Sequence, residues 1–157
     1  MIDFGVSVGE TVTFSKTVSE SDVYLFAGIT GDFFPNHVDE EFMKSTPYGR
    51  RIAHGVLTLA LSSTASSIFA SRIQERGTPY QAVSLGYDRV RFLKPVFFGD
   101  TVTIRYTVAE LDPAKARSVS QIEAVNQHGE LLMVAQHILK WLERREEEEP
   151  TDRTESH

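Results

Sequence analysis

The sequence predicts an α+β domain in which one long buried helix is wrapped by an antiparallel sheet of about five strands. The stretch from Ile52 to Ala70 is apolar or small on nearly every side, which is typical of a helix surrounded by protein. After Tyr80 the apolar residues alternate at strand period, with turn residues between the runs. The length of 157 residues suits one core, so we expect a single domain over residues 1–143.

The elements before the long helix are set by capping residues. Residues 11–18 alternate as a strand, and Ser19 is then a suitable N-cap for a helix, with Asp22 in its first turn. Gly31 is a plausible end of that helix. The segment GDFFPNH is predicted to be a loop, because Pro35 lacks an N–H and restricts the residue before it. Asp39 is expected to cap a second short helix.

The long helix is expected to begin near His54 or Gly55 and to end before Gly77. It contains few charged residues before Arg72. Its apolar run is interrupted by His54 and by six Ser or Thr residues, which favours a buried helix over a membrane span.

The strands after residue 80 carry one irregularity. Val83 and Tyr87 belong to an odd-numbered apolar set, whereas Val90 and Phe92 belong to an even-numbered one, so we expect a bulge near Asp88. Turn residues at 98–100 and 112–113 separate further strands. Residues 117–125 and 130–141 are predicted to form a hairpin.

The composition excludes several classes of protein. A net charge of −6 argues against a nucleic-acid-binding protein, and the lack of cysteine excludes disulfides and thiolate sites. The first residues lack the basic start and apolar run of a secretory signal, so we expect a cytoplasmic protein. The acidic segment 144–157 has no apolar residue to bury and is predicted to be a disordered tail.

Asp32 and His37 are the first candidates for chemistry. A carboxylate and an imidazole in one short loop can share the two halves of a proton transfer. The adjacent Phe33 and Phe34 could desolvate the carboxylate and contact substrate. The alternative is a structural loop in which Asp32 caps a turn and His37 only packs, and the residue types alone leave both open.

The segment Ile52-Ala53-His54-Gly55 is the second candidate. Gly55 would lie in the first turn of the long helix, where free N–H groups and the helix dipole favour developing negative charge. A thioester carbonyl placed on the Gly55 N–H would be polarised, as in an oxyanion hole. The alternative is that Gly55 only starts the helix. For His54, a local hydrogen bond is the preferred interpretation.

Together these segments resemble the R-specific enoyl-CoA hydratases and related MaoC-like dehydratases of the hotdog fold. The resemblance rests on Phe26-Ala27, Gly31-Asp32, Pro35, His37, Asp39 and Ile52-Ala53-His54-Gly55, and on the later runs 90–96 and 99–102. It covers roughly residues 8 to 142. The chain departs from the family at Phe34, where Asn is frequent, and at Asn36, where an apolar residue is frequent.

The resemblance implies roles for individual residues. Asp32 and His37 would be the catalytic pair, Gly55 the backbone donor to the thioester carbonyl, and Ser63 a residue that supports the site. The implied reaction is addition or removal of water at the 2,3 position of an acyl thioester, carried by coenzyme A or acyl carrier protein, with no cofactor. The family also implies a homodimer with the acyl tunnel near the interface.

Other functions remain as alternatives. A hotdog thioesterase would attack the thioester carbon instead of C3, and a non-catalytic protein would bind the thioester without turnover. We expect no metal, because Asp32 and the His37-x-Asp39 motif lack a third strong ligand at the usual spacing. Arg89, Arg91 and Lys94 could meet the phosphates of coenzyme A but are more typical of a solvated strand face. His137 is expected to be a hydrogen-bonded core or interface residue.

Overall fold

A computed structural model describes residues 3–144 of the chain. The long helix lies on one face of a five-stranded antiparallel sheet, and three short helices precede it. The elements are β1 (Thr11–Thr17), α1 (Glu20–Thr30), α2 (Pro35–Val38), α3 (Glu40–Lys44), α4 (Gly55–Glu75), β2 (Tyr80–Phe92), β3 (Thr101–Asp112), β4 (Arg117–Val125) and β5 (Leu131–Glu143). The predicted fold class is confirmed; the predicted tail, residues 145–157, lies outside the described residues.

The sheet has the order β1-β3-β4-β5-β2, and every neighbouring pair is antiparallel. Strands β3, β4 and β5 form a meander, to which β1 adds at one edge and β2 at the other. The expected bulge is present in β2, whose register with β5 shifts between Ser84 and Gly86 and again between Asp88 and Arg91. Arg89 has a φ of 52°, so the backbone itself marks the second irregularity.

Helix α4 buries one face against the sheet. Leu61, Ala65, Phe69 and Ile73 recur at helical spacing and are at most 8% exposed. This helix is long and apolar enough to cross a membrane, yet its spacing of buried residues is that of a core helix. The opposite face is open in the single chain, where Val56 is 57% exposed. The sequence predicted that α4 is surrounded by protein on every side, but this chain alone buries only the side that faces the sheet.

Capping residues set the short elements. The Ser19 side chain accepts from the Asp22 N–H while the Asp22 carboxylate accepts from the Ser19 N–H, which completes a capping box. Gly31 ends α1 with a φ of 78°. The segment predicted to be a loop contains a short helix instead, because Pro35, without an N–H to satisfy, is well suited to a first helical position.

Candidate active site

The loop that carries Asp32 and His37 is held at both ends by hydrogen bonds. At its start the Asp32 N–H donates to the Thr30 hydroxyl, and the Asp32 carboxylate accepts from the Phe34 N–H, both at 3.2 Å. At its end α2 is joined to the segment before α4, because the Ile52 N–H donates to the Asn36 carbonyl at 3.0 Å. These bonds bring Asp32 and His37 to the beginning of α4.

His37 is buried and has a defined orientation. Its Nδ1 lies 2.8 Å from the carbonyl oxygen of Ile52, and a carbonyl oxygen can only accept. Nδ1 therefore carries the proton in the neutral ring, and Nε2 is left as an acceptor. Nε2 faces the Asp32 carboxylate at 4.0 Å. This distance is too long for a direct hydrogen bond and is suited to a bridging water.

A second imidazole completes the cluster. His54 stacks on His37 with ring centroids 3.7 Å apart, and its Nε2 lies 2.9 Å from the Asp32 carbonyl oxygen. Phe26 covers the other side of the His54 ring at 4.9 Å. The expected local hydrogen bond of His54 is present. Its contact with His37 was missed, because stacking between residues 17 positions apart leaves no local sequence pattern; the only signal was the match of Ile52-Ala53-His54-Gly55 to the family.

The pKa of His37 is shifted by these neighbours. Burial is the largest cause and lowers the pKa, and the nearby His54 lowers it further. The Ile52 carbonyl and the Asp32 carboxylate act in the opposite direction without cancelling the effect. The pKa of His37 is therefore below its ordinary value of 6.5, which keeps the imidazole neutral near neutral pH.

Gly55 lies where the start of α4 meets a cavity of about 330 Å³. His37, Thr58 and Phe92 also line this cavity. The first N–H groups of a helix have no acceptor within it, and the Leu57 and Thr58 N–H groups are already bonded to the His54 carbonyl. A Cβ at residue 55 would lie 3.0 Å from the Phe92 ring, so the backbone is approached closely here. These features suit the Gly55 N–H as a hydrogen-bond donor to a substrate carbonyl oxygen.

The structure does not bring the remaining candidates into this cavity. Phe33 and Phe34 are 56% and 61% exposed, and the Asp32 side chain is half exposed, so in the single chain the two rings do not enclose the carboxylate. Ser63 lies on the open face of α4 and lines a second cavity. Their proposed roles stay predictions.

The described residues contain one group that could hold a metal ion. Asp32, His37 and His54 place ligand atoms within 4.8 Å of one another. His37 Nδ1 and His54 Nε2 are already hydrogen-bonded to carbonyl oxygens, and Asp39 instead caps α3 by accepting from the Phe42 N–H. On the side that faces the Asp32 carboxylate, this group therefore offers fewer than three free ligand atoms. A typical catalytic zinc site has three protein ligands.

The remaining candidates are the basic residues in and just after β2 and one histidine of β5. Arg89, Arg91 and Lys94 are exposed, and Lys94 forms an ion pair with Glu130. His137 is a buried, hydrogen-bonded core residue, as the sequence predicted.

Fold and site together define a hotdog protein with an Asp–His pair at the start of its central helix. The MaoC like domain model matches residues 3–129. An (R)-specific enoyl-CoA hydratase of Rhodospirillum rubrum is 39% identical, over 70% of this chain and 71% of that protein. A 3-hydroxybutyryl-CoA dehydratase of Methylorubrum extorquens is 40% identical, over 72% of this chain and 67% of that protein.

Solved structures agree with this assignment. The (R)-hydratase from A. caviae involved in PHA biosynthesis superposes with a TM-score of 0.72 at 30% identity, over 86% of this chain and 96% of that chain. The chain belongs to the MaoC-like domain family.

Proposed function

We propose that this protein is a hydro-lyase that adds water reversibly to trans-2-enoyl thioesters and forms R-3-hydroxyacyl thioesters. The observation that carries the proposal is the 4.0 Å gap between Asp32 Oδ2 and His37 Nε2. The relatives named as enoyl-CoA hydratase and 3-hydroxybutyryl-CoA dehydratase support the same reaction.

The tautomer of His37 supports a specific arrangement of the reacting water. Because Nδ1 donates to Ile52, Nε2 and the Asp32 carboxylate are both acceptors. One water can donate a hydrogen to each of them, and its oxygen lone pair is then free to attack C3. One of the pair takes a proton from the water as the C3–O bond forms, and that proton is then delivered to C2, which returns the pair to its starting state.

Gly55 supplies the electrostatic part of the proposal. As water adds to C3, negative charge develops on the thioester carbonyl oxygen. A carbonyl oxygen at the Gly55 N–H would be stabilised by a backbone donor that needs no reorganisation and by the positive end of α4. In dehydration the same contact would stabilise the enolate formed when the C2 proton leaves.

We also infer a homodimer and a cytoplasmic location. The dimer is supported by the open face of α4 and by exposed apolar residues on the neighbouring edge strand, among them Leu85 and Phe92. The location is supported by the lack of cysteine and by the packing of α4 on the sheet. The thioester carrier is coenzyme A or acyl carrier protein, and no cofactor is required.

The reaction is tested with trans-2-enoyl-CoA. We expect loss of the absorbance of the conjugated double bond, an R-3-hydroxyacyl product and no free thiol. Free thiol with an unchanged double bond would identify a thioesterase, and binding without turnover would identify an acyl-binding protein.

The catalytic pair is tested by Asp32→Asn, His37→Ala and the double variant. Each single change is expected to lower kcat by roughly 100-fold to 10,000-fold, because a positioned acid or base contributes about that much. The double variant should be little worse than the worse single variant, since both groups act on one water. Asp88→Asn and His128→Ala, at exposed positions, are matched controls that should keep normal kcat.

Circular dichroism must first show that all these variants are folded. Folded single variants with near-normal kcat would make the pair structural. Losses that multiply in the double variant would assign the two groups to separate steps.

A further inference from the structure

A second cavity of about 330 Å³ begins one residue after the proposed carbonyl donor. It follows the open face of α4 from Val56 to Ser66 and is closed on the other side by β2 and β5. The run from Val56 to Ser63 covers about 10 Å of helix at 1.5 Å per residue. This distance suits an acyl chain that extends away from a thioester held at Gly55.

The lining of this second cavity changes along its length. Val56, Leu59 and Ala60, nearest to Gly55, are aliphatic. Farther along α4 the wall carries Ser63 and Ser66, and Ser84 faces them from β2. The wall near the thioester therefore suits a hydrocarbon chain. Farther along, the chain would lie against hydroxyl groups, which would lose their contact with water.

These hydroxyl groups can still form hydrogen bonds with a ligand. Ser66 donates to the Ser63 carbonyl at 2.8 Å, which leaves its oxygen as an acceptor. Ser84 Oγ lies 2.8 Å from Nε2 of His137. If the ring donates to Ser84, the Ser84 hydrogen is free; if Ser84 donates to the ring, its oxygen remains free to accept.

The polar end of the second cavity is neutral. Burial lowers the pKa of His137 to about 4, so the imidazole is uncharged near neutral pH. Tyr106 bonds its Nδ1 at 2.9 Å, and burial raises the pKa of that phenol. The residues that line the cavity within the described chain include no Lys, Arg, Asp or Glu. This end of the cavity therefore suits a neutral polar group on the acyl chain better than a carboxylate.

Ser84 and His137 do not form a hydrolytic dyad. A serine nucleophile needs a base that can hold its proton, and in the known triads a carboxylate stabilises the resulting imidazolium. Here Nδ1 of His137 meets the Tyr106 hydroxyl, and the ring lies 4.3 Å from Tyr87 in a parallel stack. The group is suited to hold Ser84 in place.

We propose that the enzyme prefers enoyl thioesters whose acyl chain carries a neutral hydroxyl group several carbons beyond the double bond, bound by Ser63, Ser66 and Ser84. The proposal rests on the hydration reaction proposed above. It makes the three serines specificity-determining residues, and it assigns Ser63 a role in chain selection instead of support of the catalytic pair.

The test compares kcat/KM for trans-2-decenoyl-CoA with that for analogues bearing one hydroxyl at C6, C8 or C10. At least one analogue should exceed the plain chain by roughly tenfold, because the hydrogen-bonding capacity that Ser66 and Ser84 still have beyond their bonds to the Ser63 carbonyl and His137 goes unused when a hydrocarbon enters. Ser84→Ala and Ser66→Ala should each reduce this preference several-fold. Ser67→Ala, exposed on α4 outside the cavity, is the matched control.

The outcomes separate the two proposals. No hydration of any enoyl-CoA would reject the proposed function itself. Hydration with the plain chain preferred at every position, or a preference that the serine variants leave intact, would reject the hydroxylated substrate alone. A trans-2-decenoyl-CoA analogue with a carboxylate at C10, added to the same series, should be hydrated no better than the plain chain; a preference for it would reject the neutral character of the site.

Discussion

His137 is a fully buried imidazole at 1% exposure, held between the Ser84 and Tyr106 hydroxyls. Its pKa of about 4 lies below the ordinary 6.5 that applies when the chain is unfolded. The unfolded state therefore binds a proton more tightly than the folded state. The stability that the neutral ring contributes is complete above pH 6.5 and is lost as the pH falls toward 4.

This residue gives a prediction on stability. Between about pH 7.5 and about pH 5, the His137 contribution to the free energy of unfolding should decrease by about 2 kcal/mol. Urea titrations of the wild type and of His137→Gln should differ by that amount in their pH dependence, and His128→Gln should behave as the wild type. An NMR titration that placed the pKa of His137 near 6.5 would contradict the prediction.

At the scale of single residues, the sequence predicted which side chains lie close together where they share one short segment. Asp32 and His37 share one loop, so their proximity followed from five positions of separation. The stack of His54 on His37 depends on how α2 meets the start of α4, and no residue type signals it. Phe33 and Phe34 were expected to cover the carboxylate, yet the turn that starts α2 leaves both rings exposed in the single chain.

Helix α4 combines a structural role with a proposed chemical role at its first residue, Gly55. Gly55 begins the helix, and the Phe92 ring from β2 lies 3.0 Å from the position that a Cβ at residue 55 would take. Both residues line the cavity beside His37. The position of the Phe92 ring is thus expected to limit how closely a substrate carbonyl oxygen can approach the Gly55 N–H.

Gly55→Ala is expected to lower kcat/KM about tenfold with little change in melting temperature. The added methyl would lie 3.0 Å from the Phe92 ring and would force that ring to shift at the wall of the cavity that both residues line, whereas alanine is the better helix former and the half-exposed ring can turn. Combination with Phe92→Ala should restore much of the activity. Gly28→Ala on α1, where an added Cβ meets nothing within 4 Å, is the control. Unchanged kinetics in folded Gly55→Ala would argue against close approach at this position.

The elements themselves were predicted well where a turn or a cap bounds them. The bounds predicted for β4 are those observed, and the β2 bulge followed from the change of parity. The short α2 was not predicted, because four residues are too few to show a helical period. The sequence also could not show which face of α4 is buried, because small and apolar residues occur on all its sides. The packing of the helix against the sheet determines that face.

The whole molecule has one long strand, β2, at an edge of its sheet. Leu85, Phe92 and Leu93 on or next to this strand are about half exposed, and Val56 of α4 is 57% exposed. An edge strand beside exposed apolar surface is expected to be covered by another chain. The sequence predicted about five strands, but the strand order required the structure, because alternation does not specify which strands pair.

Light scattering should therefore give twice the chain mass of 17.6 kDa or a larger multiple. Leu85→Glu should shift the distribution toward monomer and lower activity, because a charge would have to be buried at the contact. Val8→Glu, at a residue 60% exposed near the amino end, should leave the assembly unchanged. A clean monomer for the wild type would contradict the dimer.

The position of the β3–β5 meander in the chain also affects how the protein is made. Ribosomes build from the amino end, so α4 emerges before residues 101–143, which form the three central strands. Until then the core side of α4, including Phe69 and Ile73, has only the early strand β1 and the nascent β2 to cover it. The core side of α4 thus stays without its final cover until residues 101–143 have been made.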